Sequence, residues 1–157
     1  MTSAPPPSAI YVDADACPVK DEALRVAERH GLTLHFVSNA WMRLPESPLV
    51  KRTVVAEGPD AADDWIVEHI GPRDIAVTAD IPLASRCLKK GAQAIGPTGK
   101  PFTEASIGMA LAMRELSAHL RETGESKGYN ASFTRQDRSR FLEALELAVR
   151  RALSASG

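Results

Sequence analysis

Aspartates recur in this chain where a carboxylate can do chemistry. Asp13 and Asp15 flank Ala14 at the end of an apolar run, Asp63 stands near the start of a helical pattern, and Asp80 follows a second apolar run. If those runs are strands, Asp13 and Asp80 lie at carboxyl ends, where the loops of an open parallel sheet diverge and leave a crevice. An extended chain through Ala14 would turn Asp13 and Asp15 to the same side. Asp60 and Asp64 share a helix face, whereas Asp63 borders the apolar Ala62–Ile66 face and is the one placed to look along the sheet. Carboxylates brought together repel, and a shared proton or a cation relieves them. An oxygen-only set suits a hard ion, Mg2+ or Mn2+. Plainer roles compete: Asp15 and Asp60 as helix caps, Asp64 as a solvated charge, strand-end aspartates as turn formers.

Other residues add to this constellation or stand apart from it. Ser38 and Asn39 follow the second strand pattern and could orient a water or a phosphate, or simply form a turn. Lys20, Arg86, Lys89 and Lys90 could offset phosphate charge, and Lys127, Arg135, Arg138 and Arg140 form a second small basic group interrupted by Asp137. Cys17 has no histidine near it in sequence to complete a nucleophilic pair, and a packed thiol is the simpler reading. His30, His35, His69 and His119 show no metal-binding spacing. Trp41 and Phe102 fall in loops, where stacking on bases and anchoring the fold are equally open. The stretch from Gly96 to Lys100 lacks the full order of a phosphate loop, which argues against ATP hydrolysis.

The elements that must position these residues alternate along the chain. Ile10 to Asp13 reads as a strand, Pro18 suits a first helical turn, and the helix from Val19 to His30 is stopped by Gly31. Leu32 to Val37 and Lys51 to Ala56 read as strands, separated by a loop containing Pro45 and Pro48. Asp60 to Ile70 is a helix, Asp74 to Ala79 a strand, Pro82 to Lys90 a helix and Ala92 to Ile95 a strand. This alternation predicts an α/β fold, a three-layer α/β/α sandwich around a mostly parallel sheet. Two long helical patterns follow, Glu104 to Arg121 and Gln136 to Leu153. Thr134 and Asp137 form a T-x-x-D start ahead of the second.

The broader bounds agree with one folded unit. At 157 residues, 44% hydrophobic and 25% charged, the chain fits a single globular domain over residues 9–157, with the Pro-rich residues 1–8 as a flexible tail. Those first residues carry no signal or transit pattern, and no apolar run reaches the length of a membrane span. A formal net charge of -1 gives no overall attraction to nucleic acid or anionic lipid, so such binding needs a local patch. Cys17 and Cys87 form neither a CxxC pair nor a disulfide framework, which suits a reducing cytoplasm.

Four segments, YVDADACPVKDE, GPDAADDWIVEHI, DIAVTADIPLASRCLKKGA and FTRQDRSRF, resemble the signature segments of the YaiI/YqxD family, a group of bacterial proteins. The resemblance covers nearly the whole chain after the tail and implies a PIN-like fold, which in many proteins is that of a metal-dependent ribonuclease. It matches Asp13, Asp63 and Asp80 to the acids of that fold, and Asp15 to the second acid of the family's own D-A-D-A-C-P motif. Many PIN-like nucleases carry another acid near the second strand, where this chain has Ser38 and Asn39, with Glu46 farther on. The resemblance therefore implies hydrolysis of single-stranded RNA with Asp13, Asp63 and Asp80 holding Mg2+ or Mn2+, and Ser38, Asn39, Lys20 and Arg86 toward the substrate. A PIN-like module that binds RNA or protein without cutting is the main alternative. A further alternative is a haloacid-dehalogenase-type phosphatase using Asp13 and Asp15 as its D-x-D, although Cys17-Pro18 replaces the usual hydroxyl-bearing continuation.

Overall fold

The first strand, β1 (Ala9–Asp13), is buried along its whole length, as a strand with helices on both faces must be. It pairs in parallel with β2 (Thr33–Ser38) on one side and β4 (Ile75–Val77) on the other. Outside these lie β3 (Val50–Val54), parallel to β2, and β5 (Gln93–Ile95), parallel to β4. The strand order is β3-β2-β1-β4-β5, so the sheet has five strands and every pairing is parallel. This computed structural model describes residues 8–14, 19–55, 60–109, 112–113 and 134–154.

Successive strand residues point to opposite faces, and two cores result. Ile10, Val12, Leu34, Phe36, Ile75 and Val77 pack against α1 (Lys20–His30) and α4 (Arg135–Ser154). Tyr11, Ala76 and Ala94 face α2 (Ala61–His69) and α3 (Ile81–Lys89). The three-layer sandwich expected from the alternation of elements is thus formed. Phe141 and Leu145 on α4 are fully buried, each contributing about 1.5–3 kcal/mol of apolar burial.

Local signals set the helix ends. Gly31 adopts φ 68 and closes α1, as its position in the sequence implies. The T-x-x-D start also forms: the Asp137 amide donates to Thr134 Oγ1 at 3.0 Å, and the Thr134 amide donates to Asp137 Oδ2 at 3.0 Å. Residues 104–109 are helical, and their entry is held by the same exchange between Thr103 and Ser106. Most of the expected helix from Glu104 to Arg121 lies outside the described residues, as do Cys17, Lys127 and His119. Ser8, assigned to the tail from sequence, is buried at the entrance to β1. Among the described residues no helix is long and apolar enough to cross a membrane.

Candidate functional site

The strand order reverses at β1, whose two neighbours β2 and β4 are reached in opposite directions across the sheet. In an open α/β sheet, this switch point is where a crevice opens beyond the carboxyl ends of the strands. Asp13, the last residue of β1, lies there and is only 7% exposed. Thr78, just past β4, is fully buried beside it. Its hydroxyl donates to Asp13 Oδ2 at 3.0 Å and accepts the Asp80 amide at 2.9 Å. One threonine therefore orients the first acid and fixes the backbone of the second.

Asp80 is the N-cap of α3, its Oδ1 accepting the Leu83 amide at 3.1 Å, with Pro82 in the first turn. The sequence offered Asp60 as a cap; Asp60 occupies the N-cap position of α2 but makes no side-chain cap bond. Asp63 lies in the first turn of α2. Burial pushes its carboxyl up, followed by the charges of Asp80, Asp13 and Asp60 and opposed by Arg86, to about 6. Acids from β1, α2 and the start of α3 thus lie in one electrostatic field.

That donor set, all oxygen and mutually repelling, is chemically suited to a hard divalent cation. The described side chains nevertheless do not form a closed ligand shell: among them, no three of His, Cys, Asp and Glu are gathered closely enough to hold a metal. Asp15, the remaining expected ligand, lies outside the described residues.

The expected substrate-side residues separate. The Ser38 hydroxyl, buried at the end of β2, donates to the Ala40 carbonyl at 2.7 Å and so serves the turn, with the partly exposed Asn39 beside it. Arg86 binds Asp64 at 3.0 Å, tying α3 to α2, and its charge favours ionised Asp63. Lys20 opens α1 and lines a cavity with Arg43 and Arg138. Lys90 is at the far end of α3, donating to the Val67 carbonyl at 2.7 Å.

The three described histidines are held by neighbouring side chains. His35 stacks on Tyr11 at 4.5 Å, His69 on Trp65 at 3.8 Å, and His30 bonds Glu146 at 2.9 Å. Burial raises the Cys87 thiol to about 11, the mark of an inert packed thiol. Thr78 is the site residue that sequence reasoning missed. The available signal was a hydroxyl residue two positions before an aspartate at a strand-to-helix junction.

Comparison with other proteins places this arrangement. The sequence profile described as "Uncharacterized BCR, YaiI/YqxD family" matches residues 11–151. A protein called UPF0178 protein from Parvibaculum lavamentivorans is 66% identical over 140 residues, covering 89% of this chain and 92% of its own. A UPF0178 protein of Rhizobium etli is 60% identical over 148 residues, covering 94% and 96% respectively. No solved structure matches the chain. With that profile spanning both the acid-bearing strand ends and the C-terminal helix, the chain belongs to the YaiI/YqxD family of bacterial proteins.

Proposed function

We propose that this protein is a metal-dependent nuclease that hydrolyses RNA phosphodiesters, with Asp13, Asp63 and Asp80 at its centre and Mg2+ or Mn2+ as cofactor. The observation that carries the proposal is that Asp13 and Asp80 stand at the switch point of a parallel sheet, linked through Thr78, and that their charges reach Asp63 on α2. When bound, a divalent ion there supplies an activated water and stabilises charge on the phosphate. Asp13 is held in one orientation by Thr78, and Asp80 is held by its cap bond to Leu83. Asp63, raised to about 6, gives up any remaining proton as a cation binds, so affinity for the cation should rise with pH. A cytoplasmic setting accords with this chemistry.

A second reading, a PIN-like module that binds RNA or protein without cutting, is favoured by one observation. The described acids do not form a closed shell. The decisive experiment is incubation of single-stranded RNA with purified protein and Mn2+, alongside Asp63→Asn and Asp13→Asn. The nuclease reading expects slow cleavage by the wild type and none by either folded variant. Tight binding with no cleavage across several divalent ions would select the non-catalytic reading.

A further inference from the structure

The segment after β2 alternates in exposure. Trp41 is 67% exposed, Met42 packs against the core beneath α1 and α4, Arg43 is exposed, and Leu44 is buried in that same core. Met42 and Leu44 are the anchors of this extended stretch, and they hold Trp41 and Arg43 outward. A tryptophan that serves the fold hides its ring. This one is backed instead by the Arg52 guanidinium, 5.0 Å from the ring centroid, supplied by the edge strand β3.

Beside it, Arg43 lines a cavity of about 430 Å³ with Lys20, Asp21, Leu44, Pro45 and Arg138. Lys20 and Arg43 take part in none of the ion pairs among the described residues, while Arg138 is held by Glu22 at 3.0 Å. Lys20 is the first residue of α1, the helix that leaves the carboxyl end of β1 where Asp13 stands. An exposed indole face backed by Arg52 and a cavity lined by Lys20, Arg43 and Arg138, with Asp21 among them, thus lie along the segment after β2 and the start of α1, in a protein whose net charge is only -1.

We propose that this surface is a platform for single-stranded RNA. Trp41 stacks on one nucleobase, Arg52 backs the ring, and Arg43 and Lys20 take the neighbouring phosphates. Stacking needs a base face that a duplex keeps covered, and it accepts any base because every base has such a face. The proposal rests on the RNA reading above and adds the route by which a strand reaches Asp13.

Fluorescence anisotropy of a labelled, mixed-sequence oligoribonucleotide tests it, with EDTA present so that binding is measured apart from cleavage. Trp41→Ala should weaken binding about tenfold or more, and Trp41→Phe should keep most of it. Arg43→Gln and Lys20→Gln should each flatten the slope of log affinity against log salt by about 0.7. Since Trp41 is exposed, the melting temperature of Trp41→Ala should stay at the wild-type value.

Equal affinity of wild type and Trp41→Ala for the RNA overturns the platform and leaves the surface to a protein partner. Equal binding of single strand and duplex overturns it too. RNA bound through Trp41 but never cut with Mn2+ defeats the nuclease reading alone. Cleavage that Asp63→Asn abolishes, and that Trp41→Ala leaves at unchanged KM, defeats the platform alone.

Discussion

Asp63→Asn should stabilise the metal-free protein above neutrality and leave it unchanged near pH 4. In the folded chain, burial and then the charges of Asp80, Asp13 and Asp60 push this carboxyl from 3.8 to about 6. Between those values the folded state holds more protons than the unfolded state, so stability falls as pH rises through that window. Above about pH 6 the full cost of ionising Asp63 is present, and below the unfolded value it is absent. A shift of about two units corresponds to at most about 3 kcal/mol. Asp63 is only partly buried, and solvent screening reduces this to about 1 kcal/mol, or about 2–4 °C in melting temperature for a domain of this size. Thermal unfolding in chelator from pH 4 to 8 measures it. The two proteins should coincide at the acid end and separate toward pH 8, with the asparagine variant higher. Mn2+ should then favour the wild type, which keeps the larger affinity for the ion. A variant that melts lower than wild type by the same margin at every pH would refute the shared acidic field.

Four other outcomes follow from single contacts. Asp80→Asn keeps an oxygen for the Leu83 amide and should melt near wild type with a smaller Mn2+ response, whereas Asp80→Ala should lose about 1 kcal/mol in urea titrations from the missing cap. Gly99→Ala should cost about 2 kcal/mol or more in the same assay, because Gly99 adopts φ 91 and a Cβ there would stand 2.6 Å from the Arg140 carbonyl oxygen. Glu146→Gln should lower the melting temperature at pH 7 and converge on wild type in acid: burial raises the Glu146 carboxyl, but hydrogen bonds from His30 and Arg150 outweigh it and leave it below its usual value, so its stabilisation is lost as pH falls through that lowered value. Beryllium fluoride should leave Asp13 unmodified in a structure of the soaked protein, since only a phosphatase passing through an aspartyl-phosphate binds that mimic there.

Features governed by neighbours in sequence were legible before the structure. The apolar run of β1, the Gly31 stop and the Thr134–Asp137 exchange each depend on a few adjacent residues. Strand limits were less so: Asp74 was read into a strand that begins at Ile75, and its carboxylate instead accepts the Ala9 amide at 2.9 Å and the Gly71 amide at 2.8 Å. The choice of cap was also hidden. Asp60 and Asp80 both precede helices, and only the geometry at each end makes Asp80 the cap. For Trp41, the loop composition left stacking and anchoring balanced; the structure shows its ring exposed, with Met42 partly buried and Leu44 buried on either side of Arg43.

The relation among the acids was the least legible feature, because it belongs to no single segment. Asp13 and Thr78 are separated by 65 positions in sequence and joined by one hydrogen bond. That bond exists because β4 crosses back to pair with β1 instead of extending the sheet beyond β3. A sheet that grew in chain order would have put β2 and β3 between Asp13 and Asp80, and the same aspartates would stand about 14 Å or more apart at a strand spacing of about 4.8 Å. The residue types therefore permit an acidic cluster, and the reversal of strand order at β1 is what brings Asp13 and Asp80 to the ends of neighbouring strands. Substitutions that preserve every aspartate but weaken the β1–β4 pairing should consequently lower the pKa of Asp63 toward its ordinary value, since the charges of Asp13 and Asp80 help to hold it up.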